Sequence, residues 1–185
     1  MKHRIHRRLS GLVLAAIVCC GAIATVHATP YVVNGDFETD TELWTLWPGY
    51  AGQNGVNPPE ITGWVGMGGR GINPVVPGGP TDAPFRDNGA NVSHVAFLQG
   101  VAYIEQQIAG FSVGSTYWLG IDFNARNCCT DFPVATLFLN GQPLASSADL
   151  FPAPGTIPPV GQANPWYHAD IPFTALEEII TLRIS

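Results

Sequence analysis

Hydrophobic and polar positions alternate most regularly over residues 117–126, which read Tyr-Trp-Leu-Gly-Ile-Asp-Phe-Asn-Ala-Arg. Successive strand side chains point to opposite faces, so Tyr117, Leu119, Ile121, Phe123 and Ala125 form one apolar row. Trp118, Gly120, Asp122, Asn124 and Arg126 form the other. The first row suits a core. The second offers an aromatic plate, a gap and three hydrogen-bonding groups, the chemistry that recognises a polyhydroxylated ligand. A solvated strand face carrying an Asp122–Arg126 pair is the plainer alternative.

Weaker alternation predicts further strands. Residues 94–99 and 102–108 read as two strands joined at Gly100-Val101, the second setting Tyr103, Glu105 and Gln107 against Ile104, Gln106 and Ile108. Gly110-Phe-Ser-Val-Gly114 reads as the next turn. A strand over 134–139 is closed by Asn140-Gly141, a dipeptide that favours tight hairpins. Residues 170–174 and 179–184 are the last strands, with at most one helical turn over 176–180. Near the other end, a short strand starts at Tyr31 and turns at Asn34-Gly35. From 43 to 90 the chain reads as loop, because 11 of the 21 glycines and 7 of the 16 prolines fall between 48 and 89 and exclude a long helix. Trp44, Trp47, Tyr50, Ile61, Trp64 and Phe85 anchor that loop, and Trp64 marks a short buried strand. A second Pro-rich loop covers 151–165. Six or more short strands, long loops and no convincing helix predict an all-β fold, an antiparallel β-sandwich.

Residues 1–28 carry a basic start, an apolar run and Val26-His27-Ala28 as a small-residue cleavage site, the pattern of a secretory signal peptide, so the domain is expected over 29–185. Four of the eight basic residues lie in that segment. The remainder keeps Arg70, Arg86, Arg126 and Arg183 against all 14 acids, a formal charge of −10. Nucleic acid and anionic membrane are poor partners for such a surface, whereas neutral sugars and divalent cations are compatible with it. After cleavage only Cys128 and Cys129 remain. Adjacent Cα atoms stand about 3.8 Å apart, below the usual disulfide range, so a bond between them would close a strained, rigid, apolar ring. Reduced or intermolecularly paired thiols are the alternative. Asp36, Glu38, Asp40 and Glu42 crowd four carboxylates into one segment, and a calcium ion held by Asp36 or Glu38 with backbone carbonyls would relieve their repulsion.

Asn-Gly-Asp-Phe-Glu at 34–38, together with Ala96-Phe-Leu-Gln-Gly, Ile104-Glu-Gln-Gln-Ile, Gly114-Ser-Thr-Tyr, Phe123-Asn-Ala-Arg and Leu139-Asn-Gly, resembles the galactose-binding-like jelly rolls. The resemblance is greatest to carbohydrate-binding modules and cell-wall-associated β-sandwich proteins. It spans almost the whole chain after the signal, through short motifs. It implies an eight-stranded sandwich, a structural calcium near the first strand, and non-catalytic sugar binding on the concave sheet face or at the loop tips. Such proteins usually end in a strand bearing an Asp-Asp or Asp-Asn pair. This sequence stops at Ser185 before one, so the expectation is a fragment lacking its last strand or a fold that closes differently.

Two motifs would indicate other chemistry. Gly110-Phe-Ser-Val-Gly114 matches a nucleophile elbow, but the elbow needs a helix after Ser112, and here a strand follows. Gly66-Met-Gly-Gly-Arg-Gly71 matches a dinucleotide fingerprint, but Ile72-Asn-Pro-Val-Val-Pro forbids the helix that would hold the pyrophosphate. Asp122, with Glu105 on a neighbouring strand, would supply an acid pair of the kind that glycoside hydrolysis uses, although on a polar sheet face such carboxylates usually bond sugar or pair with Arg. The sequence therefore predicts a secreted or cell-surface, non-catalytic carbohydrate-binding domain. In it, Trp118 stacks on a sugar, Asp122, Asn124 and Arg126 hydrogen-bond hydroxyls, and Tyr103 and Glu105 extend the site. A structural or adhesive domain that binds a protein is the alternative, and a secreted hydrolase is a lesser one.

Overall fold

The computed structural model describes residues 28–46, 48–74, 94–123, 134–150 and 167–185. Residues 1–27 of the expected signal peptide, and Trp47, Phe85, Asn124, Arg126, Cys128 and Cys129, lie outside them. Seven strands occur among the described residues: β1 (Val65–Pro74), β2 (His94–Ala109), β3 (Thr116–Phe123), β4 (Thr136–Leu139), β5 (Gln142–Ser146), β6 (Tyr167–Thr174) and β7 (Ile179–Ile184). One four-residue helix, α1 (Ser147–Leu150), follows β5. Five strands form one antiparallel sheet in the order β1-β2-β7-β4-β5, and β3 pairs with β6 in a second.

The fold is an all-β antiparallel sandwich. Ile104, Ile108, Ile180 and Leu182 line the inner face of the large sheet, and Tyr117, Leu119 and Phe173 of the small sheet pack against them. The small sheet covers part of this core. The rest is closed by the chain before β1, whose Trp44, Ile61 and Trp64 are buried against Ile72 of β1. β7 lies inside its sheet, paired with β2 on one side and β4 on the other. Asn140 and Gly141 both take positive φ and turn the β4–β5 hairpin as their chemistry predicts.

Four expectations are corrected. The 43–90 loop contains β1, a ten-residue strand built from Val-Gly-Met-Gly-Gly-Arg-Gly-Ile-Asn-Pro. Its glycines serve close backbone approach: a Cβ at Gly66 would stand 2.2 Å from the Tyr103 carbonyl oxygen, and one at Gly71 would stand 1.8 Å from that of Gly49. Gly100-Val101 does not join two strands. β2 runs through it as one strand paired with β1 on either side of a bulge, where Gly100 takes φ 66°. Residues 31–33 form no strand. They are held by Gln106, which is buried and exchanges two side-chain hydrogen bonds with the Val33 backbone at 2.9 and 3.1 Å. Trp64 is buried as expected and precedes β1 instead of lying in it.

The outer edge of β1 is covered. Gly49 and Ala51 bond the backbone of Ile72 and Arg70, and Gly49 N–H donates to the buried Asn73 side chain at 2.9 Å. Gly71, which could not carry a Cβ, is thus the residue on which this covering segment sits.

Candidate functional site

Alternation along β3 is preserved: Tyr117, Leu119, Ile121 and Phe123 are half-buried, while Trp118, Gly120 and Asp122 are exposed. β6 alternates in the same way, with His168, Asp170 and Pro172 exposed and Ile171 buried. Antiparallel register sets Trp118 opposite Pro172, Gly120 opposite Asp170, and Asp122 opposite His168. Two outer rows therefore form one surface. Pro172 fits in β6 because that strand pairs on one side only among the described residues.

At one end of this surface Trp118 is 67% exposed. At the other, His168 bridges two carboxylates, with Nδ1 2.8 Å from Asp122 Oδ1 and Nε2 3.3 Å from Asp170 Oδ1. Both ring nitrogens can donate only when the imidazole is protonated, so the geometry suits the cation. The Asp122 hydrogen bond, opposed by partial desolvation and assisted by the charges of both carboxylates, holds the His168 pKa above its ordinary 6.5. Gly120 leaves the bridge room: a Cβ there would stand 3.3 Å from Asp170 Oδ1, a tight approach to the end of an exposed side chain, and 3.7 Å from His168 Cε1, an ordinary contact. Trp118 and Asp122 are four residues apart on one strand, about 13 Å, a span that suits a short oligosaccharide. The surface combines an apolar ring, a small recess and two carboxylates, each with an oxygen outside the His168 contact.

The expected site residues divide. Trp118 and Asp122 share the surface, and Asn124 and Arg126 lie outside the described residues. Among the described residues Asp122 is paired with His168. Tyr103 and Glu105 do not extend the surface, because β2 belongs to the large sheet and does not pair with β3. They form a separate group with Arg183: its Nε and Nη2 each reach Glu105 Oε2 at 2.6 Å, and its guanidinium lies 4.1 Å from the Tyr103 ring centre. The hydrolytic pairing of Asp122 with Glu105 loses its basis for the same reason. His168 and Asp170 were missed as site residues. The signal was present in the alternation of 167–173, Tyr-His-Ala-Asp-Ile-Pro-Phe, which extends that strand three residues earlier than expected.

The acidic segment is tied into the fold. Asp36 Oδ1 accepts the Glu38 N–H at 3.3 Å, Glu38 Oε1 accepts the His94 N–H at 2.8 Å, and Asp40 Oδ2 accepts the Thr62 hydroxyl at 2.9 Å. Among the described residues no three His, Cys, Asp or Glu side chains gather as metal ligands. Asn34 is the hub beside them: it is buried, its amide donates to the Thr62 carbonyl at 2.9 Å, and its side-chain oxygen accepts from Thr39 at 3.0 Å. Ser112 lies in the turn before β3, where its N–H donates to the Tyr117 hydroxyl at 2.8 Å. His168 sits opposite Asp122, six residues beyond the start of β3 and about 20 Å away at strand rise. These two are not positioned as nucleophile and base.

Fold and surface together define an all-β antiparallel sandwich that presents an exposed aromatic and charged strand face. No family model, characterised protein or solved structure matches the chain.

Proposed function

We propose that this protein is a non-catalytic carbohydrate-binding domain of the secreted or cell-surface kind, and that the outer face of β3 and β6 is its binding surface. The observation that carries the reading is the alignment of exposed Trp118 with the His168-bridged carboxylates Asp122 and Asp170 on a single face. An indole offers a flat apolar surface to the C–H face of a sugar ring at low entropic cost, and the carboxylates accept hydroxyl hydrogen bonds. The motif resemblance to galactose-binding-like jelly rolls supports the same class, although its best-formed motif, Asn34-Gly-Asp-Phe-Glu38, works here as a packed turn with Phe37 5.7 Å from Trp64.

The test is a glycan-array screen of the secreted protein. Saturable binding to at least one glycan is expected, with a loss of tenfold or more in Trp118→Ala, since an aromatic contact contributes about 1.5 kcal/mol or more. No binding by protein shown to be folded would remove the reading.

One observation favours the adhesive alternative. Val65 and Met67 are 57% and 58% exposed on the large sheet, beside the Tyr103–Arg183 stack. An adhesive domain using that face would keep its partner in Trp118→Ala and lose it in Met67→Glu.

A further inference from the structure

Asp170 reaches across the gap in the outer row of β3. Register places it opposite Gly120, and a Cβ on Gly120 would come 3.3 Å from Asp170 Oδ1, so the carboxylate lies beside that glycine on the outer face. Trp118 is the next outward residue of β3, two positions along the strand and about 7 Å away. A sugar ring stacked on the indole can therefore reach the carboxylate with one of its substituents. Of the two carboxylates that hold His168, Asp170 is the looser: its contact is 3.3 Å against 2.8 Å for Asp122, and its side chain is 62% exposed against 40%. Asp122 anchors the imidazole, and Asp170 is the carboxylate open to a ligand.

Charge narrows what that ligand is. Two carboxylates share one imidazole, so the group stays net negative whether His168 is protonated or neutral. The other outward residues of the paired strands, Thr116, Trp118, Gly120, Pro172 and Thr174, carry no charge. Arg70 is engaged by Glu60, Arg183 on the large sheet is engaged by Glu105, and no lysine follows residue 28. Among the described residues this face thus holds negative charge in excess. A neutral sugar leaves the excess to solvent, and an anionic one is repelled by it. An ammonium on the rim of a ring stacked on Trp118 is drawn to the indole face and to Asp170 at once, by the ring quadrupole and by a charge-assisted hydrogen bond.

We propose that the ligand of this face is an amino sugar with a free ammonium group, its ring on Trp118 and its nitrogen donating to Asp170. The proposal rests on the reading of the face as a carbohydrate-binding surface and narrows that reading to one class of sugar.

The experiment is a calorimetric titration of the secreted protein with trimers of glucosamine, N-acetylglucosamine and glucose that share one linkage, in mildly acidic buffer in which the free amines are protonated. The glucosamine trimer is expected to bind about fivefold tighter, or better, than either neutral trimer. That advantage should shrink in high salt and vanish in Asp170→Asn. Glu177→Gln removes the same charge from the exposed turn between β6 and β7 and should leave the advantage in place. Equal or tighter binding of a neutral trimer overturns the proposal and leaves the carbohydrate reading standing, as does silence toward all three trimers when another glycan is bound on the array. Silence toward every glycan overturns both. Equal losses in Asp170→Asn and Glu177→Gln would assign the preference to the overall charge of the chain, and a preference that survives Asp170→Asn would put the ammonium elsewhere; either result overturns the assignment to Asp170.

Discussion

His168 sets the charge of the outer face, because one imidazole is shared by two carboxylates. Its folded-state pKa lies above 6.5. The contribution of these contacts is therefore complete below pH 6.5 and is lost as pH rises through the raised value. Histidine NMR should give a midpoint above 6.5 in wild type, falling toward the ordinary value in Asp122→Asn. An unchanged midpoint in that variant would show that the hydrogen bond does not form in solution. Asn34 ties the acidic segment to the turn at Thr62. Replacing it with alanine removes two hydrogen bonds and leaves φ 49° to a residue that disfavours it. Asn34→Ala should cost about 2 to 4 kcal/mol in urea unfolding. At this scale the sequence was partly legible. Trp118 and Asp122 could be assigned to one face from alternation alone, but the partner of Asp122 is a cross-strand neighbour, and register is not written in local pattern.

Strands with ordinary alternation, such as β3 and β7, were legible because period-two burial leaves its mark on residue type. β1 was not. Four glycines within its ten residues mimic loop composition, and the reason they are glycines lies in backbones that approach from elsewhere in the chain. β2 was divided in two for a related cause, since a bulge glycine and a turn glycine look alike until the partner strand is known. Two kinds of glycine can be told apart by experiment. Gly71→Ala puts a methyl into the Gly49 carbonyl and should cost about 3 kcal/mol or more, because the covering segment must move. Gly100→Ala meets nothing within 4 Å and carries only the positive-φ cost, about 1 to 2 kcal/mol. Chemical denaturation of the pair checks the order, and equal losses would mean that the segment over β1 is not packed as described.

For the whole molecule, composition was the surest guide to architecture and said least about which surfaces are used. Many short strands and turn residues pointed to a sandwich, and the seven described strands form one. The distribution of functional groups between its sheets was not foreseen. Tyr103 and Glu105, expected beside Trp118, are on the other sheet with Arg183, because sequence neighbours β2 and β3 belong to different layers. The molecule thus carries two distinct decorated surfaces, and the central claim is that carbohydrate uses the one with Trp118. Backbone and indole NMR of the protein saturated with a glycan selected on the array tests this most directly. Shifts centred on the Trp118 indole N–H, Gly120, Asp122, His168 and Asp170 are expected, with little change at Tyr103, Glu105 and Arg183. Shifts centred on the Tyr103–Glu105–Arg183 group, with Trp118 silent, would contradict it.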